Sequence, residues 1–286
     1  MGQLMEPLAL LEPAYSFLGL FYEPMFIRRA ALALLLLTPV SAAAGVLVVN
    51  QRLAFFADAV GHSVFAGVAL ALLLTLPERP VVMITGVIIG LIVVYLSRHS
   101  RLAADTVIGL VFSGAIALGL AIVSRNPGTA KGLSRFFLGD VLTLGDVEIA
   151  LLAGLALLTV GFMLAFFNHL TLECLSPVLA HSRHPLKSRI APYVFGMFLA
   201  IVVTVSVWTV GVLLVTALLV APAAAGRNWA ASAASMFWVA VVIALFSGQT
   251  GLYLSTLPQI NTATGATVVL VAICIFVISF LSRRRG

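Results

Sequence analysis

The sequence predicts an all-α, polytopic integral membrane bundle with about nine transmembrane helices. Three observations predict it. Of 286 residues, 62% are hydrophobic and only 9% are charged, whereas soluble domains carry roughly 25% charged residues. The apolar residues come in continuous runs, and about 20 of them suffice for a helix to cross the hydrocarbon. Nearly all charges fall between those runs. A soluble, a disordered and a fibrous chain are excluded together. A closed β-barrel is excluded because the runs do not alternate.

Breaks that are charged or rich in Pro and Gly place the spans at 27–49, 53–76, 81–97, 103–124, 146–168, 190–208, 210–226, 233–251 and 264–281. Residues 190–226 form one long run, divided here near Trp208 to Gly211. Residues 1–26 read as an interfacial segment, because the apolar stretch 8–22 is short and interrupted by Glu12 and Pro13. Residues 27–286 then form one transmembrane domain, with 169–189 as its longest loop. The N-terminus has no basic region before its apolar stretch, so a cleaved signal peptide is not expected. Small residues such as Ser41–Gly45 and Ala221–Gly226 suit close helix packing.

Lys and Arg set the expected orientation. One side carries Arg52, Arg98, Arg101, Arg183, Lys187, Arg189, Arg227, Arg283, Arg284 and Arg285, and the other Arg28, Arg29, Arg79, Arg125, Lys131 and Arg135. The basic-rich side is expected in the cytoplasm, with the N-terminus outside and the C-terminus inside. The net charge of +6 is thereby a matter of topology, and no nucleic-acid partner is expected. Cys174 and Cys274 have no motif spacing.

Once the acids that can sit in loops or at helix ends are set aside, one remains inside a span: Asp58, in Phe55-Phe-Ala-Asp-Ala-Val-Gly-His-Ser-Val-Phe-Ala-Gly67. A carboxylate there costs at least about 2.5 kcal/mol on insertion scales. His62 follows four residues on, which puts both side chains on one helix face. At about 1.5 Å per residue, His62 lies roughly 14 Å beyond Leu53, near mid-membrane. Three readings fit the pair: a hydrogen-bonded packing element, a proton relay, or two ligands for a divalent metal. Carboxylate with imidazole is a mixed set that manganese, iron and zinc can all use. Two ligands are too few to dehydrate a cation, whereas two chains on a two-fold axis would supply four.

The other histidines carry less. His99 is expected in a short loop. His169, His181 and His184 fall in the 169–189 loop, where His181-Ser-Arg-His184 has a metal-compatible spacing but sits among Arg183, Lys187 and Arg189. In that loop Leu175-Ser-Pro-Val-Leu-Ala-His181 predicts a short helix, with Ser176 as N-cap and Pro177 at the first helical position. Such a helix can dock a soluble partner. Enzymatic motifs are missing: no Gly-Lys-Ser/Thr phosphate loop, no His-Glu-x-x-His, and no glycine in the required place before Ser113.

Together these residues resemble the membrane permease subunit of zinc, manganese and iron ABC importers. Ala54-Phe-Phe-Ala-Asp-Ala-Val-Gly-His-Ser-Val-Phe-Ala-Gly-Val-Ala69 is similar to the family pattern Gly-Asp-Ala-x-x-His-x-x-x-x-Gly-x-Ala, with Ala57 where glycine is usual. Phe26-Ile-Arg-Arg-Ala-Ala31 is similar to the basic segment opening the family's first helix, and Phe137-Leu-Gly-Asp140 to its Phe-Gly-Asp segment. Gly211–Gly226 is similar to Gly-x-Leu-Leu-x-x-x-Leu-Leu-x-x-Pro-Ala-Ala, and Gly265–Leu270 to Gly-x-Thr-Ile-Val-Leu. Asn261 stands where many relatives carry Asp, and no acid follows Glu173.

The resemblance implies a type II importer-like fold, no chemistry of its own and no permanently bound cofactor. It implies transport of Zn2+, Mn2+ or Fe2+ past Asp58 and His62. It also implies partners: a cytoplasmic ABC ATPase, an extracytoplasmic metal-binding protein, a second copy of the chain and the lipid of a bacterial inner membrane. Leu175, Ser176, Pro177, Leu179, Ala180 and Ser182 match the ATPase-coupling helix in position. Gly211 and Pro222 become candidates for a helix kink or gate. The alternative left open is a proton-coupled secondary metal transporter with Asp58–His62 as its proton site.

Overall fold

The computed structural model describes residues 24–125, 141–260 and 262–282. Among them, nine helices are long and apolar enough to cross a membrane. These are α1 (Met25–Asn50), α2 (Phe56–Leu74), α3 (Glu78–His99), α4 (Ala104–Arg125), α5 (Asp146–Leu175), α7 (Pro185–Val210), α8 (Val212–Trp229), α9 (Ala233–Thr256) and α10 (Thr264–Leu281). A short helix, α6 (Pro177–Arg183), joins α5 to α7, and a 3-10 turn at Val141–Thr143 precedes α5. Residues 1–23, the Phe137–Asp140 segment, Asn261 and the three terminal arginines lie outside the described residues.

Each expected span corresponds to one helix. The differences lie at the ends, because an apolar run stops at the membrane edge whereas a helix stops where its backbone finds a cap. Thus α1 closes on Arg52, left-handed at φ 58°, with the Arg52 and Leu53 amides donating back to the Val49 and Val48 carbonyls. That is the Schellman geometry usually given to glycine. The α5 helix runs to Leu175 and α7 starts at Pro185, so the expected 169–189 loop is almost wholly helical. His169 is consequently a buried residue of α5 and not a loop residue, which corrects the expectation from sequence. His99 is likewise the last residue of α3, stacked on Tyr95 at 4.3 Å.

The long run 190–226 divides at Gly211, whose φ of 90° and ψ of 158° belong to a region open essentially to glycine alone. The helix α8 then continues through Pro222. Proline has no amide to give the carbonyl four residues back, which is that of Leu218.

Three ion pairs bring the helix ends into register. Arg29 meets Asp146 at 2.8 Å and Arg79 meets Glu148 at 2.8 Å, so α1, α3 and α5 begin at one end of the bundle. Arg98 meets Glu173 at 3.2 Å at the opposite end. Parallel neighbours α8 and α10 are joined by Asn228–Ser279 and Trp229–Ser282 hydrogen bonds of 3.0 and 2.8 Å. The bundle encloses α1 and α7 most, then α2; α4 and α5 are the most outward. Small residues permit this: a Cβ at Gly45 on α1 would collide with the Leu219 carbonyl of α8.

Candidate transport site

Asp58 and His62 stand on α2 as the sequence placed them, one turn apart and both half-buried. The helix begins at Phe56, three residues later than expected. Asp58 is therefore in the first turn, where free backbone amides and the helix dipole favour a negative charge. The start of α2 is recessed into the bundle. A Cβ on Gly90, near the middle of α3, would stand 3.3 Å from the Phe56 ring. His62 is six residues further, about 9 Å at 1.5 Å per residue, so the pair lies well inside the membrane-spanning layer.

The rest of α2 holds the pair in place. Phe56, Ala57, Ala59, Val60 and Gly61 are fully buried, leaving Asp58 and His62 on the opposite, more open face. Ala57 fits without exposure where the family pattern has glycine. The His62 ring packs edge-on against Phe112 of α4, with centroids 5.0 Å apart at 89°. Sequence reasoning missed Phe112, since nothing local marks an aromatic on another helix as its neighbour. On the buried side, a Cβ at Gly61 would lie 3.4 Å from Val212 and 3.5 Å from Val207. The α7–α8 break at Gly211 thus abuts the turn of α2 that carries His62. Among the described residues, no three His, Cys, Asp or Glu side chains stand close enough to hold a metal together.

The opposite feature is the α5–α6–α7 hairpin. Ser176 caps α6, its hydroxyl accepting from the Leu179 amide at 3.4 Å, and Pro177 occupies the first helical position. The Ser182 hydroxyl donates to the Leu179 carbonyl at 3.1 Å. Ala180 is buried against the bundle, while Leu175, Val178 and Leu179 are exposed, as are Leu186 and Ile190 of α7. An exposed apolar rim on a bundle end marks a surface for contact.

At the far end, the first turn of α5 is braced by charge. Glu148 accepts from the Gly145 amide at 3.1 Å and also pairs with Arg79, whose guanidinium lies 5.8 Å from the centre of the Trp208 ring on α7. These partners are far apart in sequence, and no spacing rule reveals them.

Nine helices of spanning length, among the described residues, define a multi-pass membrane protein. The chain belongs to the ABC 3 transport family, whose model matches residues 23–283. It is 28% identical over 255 residues to the manganese transport system membrane protein MntC of Halalkalibacterium halodurans, covering 89% of this chain and 86% of that protein. It is 27% identical over 256 residues to the high-affinity zinc uptake system membrane protein ZnuB of Haemophilus influenzae, covering 90% and 97%. Its fold matches a chain of PsaBC from Streptococcus pneumoniae, solved in complex with a Fab, with a TM-score of 0.78 at 24% identity over 95% of this chain and 96% of that one.

Proposed function

We propose that this chain is the permease of an ATP-driven, binding-protein-dependent importer of a divalent transition metal ion: zinc, manganese or iron. The observation that carries the reading is the Asp58–His62 pair, a costly carboxylate held inside the bundle beside an imidazole on a partly open face. Two copies meeting on a two-fold axis supply two carboxylates and two imidazoles, enough to replace much of a cation's water and loose enough to release it. The ion is the substrate, delivered by an extracytoplasmic metal-binding protein.

A cytoplasmic ABC ATPase grips α6, using the exposed Leu175, Val178 and Leu179 as its contact. Ser176, Pro177, Ala180 and Ser182 keep that helix formed and seated. Movement passes from α6 through α7 to the break at Gly211, which lies against α2 beside His62. The chain sits in a bacterial inner membrane with its N-terminus outside and its C-terminus cytoplasmic. The basic residues flanking the hairpin support that orientation.

The test uses proteoliposomes holding the chain with its ATPase and supplied with the metal-loaded binding protein. Metal accumulation is expected only when ATP is hydrolysed, and a proton gradient alone is expected to drive none. Accumulation under a proton gradient without ATP would replace this reading by a proton-coupled secondary transporter.

A further inference from the structure

The hairpin end contains a pair of imidazoles that the proposed transport path does not use. His169, in the last turns of α5, is only 8% exposed, and its Nε2 has no hydrogen-bond partner. The ring of His184, between α6 and α7, stands 6.2 Å from it, centre to centre, tilted by 59°. One turn along α7 from His184, the buried Ser188 hydroxyl is also without a partner. Buried polar atoms in a native fold are ordinarily satisfied, and an ion is one of the ways. His184 makes no capping hydrogen bond with its side chain, so its imidazole is not committed to holding the helix.

We propose that His169 and His184 form a second metal site, specific for a zinc-class ion, that clamps the end of α6 to α5. Two imidazoles on one tetrahedral ion, at Zn–N distances of about 2.0–2.1 Å, hold their ring centres about 5 Å apart. The observed 6.2 Å is within about 1 Å of that, a gap that rotation of the exposed His184 side chain closes. Water completes the coordination, because an ion that is held in place and not passed along keeps part of its shell. Both ligands are nitrogens, and Glu173, one turn from His169 on α5, is engaged by Arg98, so the site selects zinc, nickel or copper over manganese. This differs from the mixed pair at Asp58 and His62.

The basic neighbours that argued against a cation here do not prevent it. Arg183, Lys187 and Arg189 are all exposed, where water and salt screen them over about 8 Å. Arg98 is occupied by Glu173.

Bound there, the ion ties the C-terminal end of α6 to α5 and restrains the segment that contacts the ATPase. Metal accumulating on the hairpin side then slows further import, a feedback by the transported class of ion. The placing of that side in the cytoplasm rests on the function proposed above; binding itself does not.

The experiment therefore reads binding, not transport. The full-length chain carrying Asp58→Ala and His62→Ala, purified in nanodiscs, is titrated with Zn2+ and with Mn2+. One Zn2+ per chain and no Mn2+ is expected, and adding His184→Asn is expected to abolish the Zn2+ signal. Asn keeps a capping residue at an exposed position, so the fold is retained, which an unchanged thermal midpoint verifies. His169→Asn should have the same effect on binding. Zn2+ binding that survives both changes, or no Zn2+ binding at the start, would overturn the proposal, leaving two packed rings. Failure of metal transport with this titration intact would count against the importer reading alone.

Discussion

Asp58→Ala is expected to reduce metal uptake by at least ten- to a hundredfold while leaving the protein in the membrane at its usual level. Changes to groups that merely orient a metal ligand already cost about 10–100-fold, and this one removes the ligand itself from both copies at once. Stability should move the other way. The carboxylate is a burden of about 2.5–3.5 kcal/mol in the membrane interior on insertion scales, and α2 packs through Phe56, Ala57, Val60 and Gly61 on its other side. The substituted chain should therefore melt at the same temperature as the parent or higher. His62→Ala should match the loss of uptake but lose the edge-on contact with Phe112, so its thermal midpoint should fall slightly. Metal accumulation in cells and melting in detergent read the two effects separately. Unchanged uptake with a lowered midpoint in Asp58→Ala would assign the pair to packing.

Gly211→Val is expected to damage both folding and transport. The backbone there has φ 90° and ψ 158°, and holding a side chain in such a region costs about 1–3 kcal/mol. A β-branched residue is worse placed than most, because its χ1 is already restricted. The chain can relieve the strain only by shifting the join between α7 and α8. Val207 and Val212 on either side of it are the groups that face Gly61. A shift of the join moves the wall behind His62, so uptake should fall together with the melting temperature. Gly211→Ala should show the same direction with a smaller effect. Normal melting and normal uptake in Gly211→Val would mean that the break is not needed.

How much of this was legible in the sequence depends on the range of the interaction. The spans could be read because each is a local run of apolar residues. The α7–α8 division fell within a few residues of Gly211 because a glycine beside Trp208 stood out in an otherwise unbroken run. Ser176 and Pro177 announced α6, since capping is settled within one turn. Asp58 and His62 shared a face by spacing alone.

Contacts between distant parts of the chain were not legible. Arg29 lies on the side with fewer basic residues, and its partner Asp146 is 117 residues away. Nothing near Arg79 indicates that it joins Glu148 and Trp208. His169 was assigned to a loop because the polar residues from Asn168 onward end the apolar run, yet α5 continues for two more turns past the point where hydrophobicity stops. The sequence puts His169 and His184 in one segment, but nothing in it shows that their rings stand 6.2 Å apart.

The most direct test of the central claim is the number of ions held at Asp58 and His62. Mn2+ suits it, because the imidazole pair at the hairpin should not bind this ion. The assembled transporter would be titrated with Mn2+ and the bound ion followed by electron paramagnetic resonance. One Mn2+ for every two copies of the chain, lost in Asp58→Ala, is the predicted result. One Mn2+ per copy, or binding that persists without Asp58, would contradict a path shared between two chains.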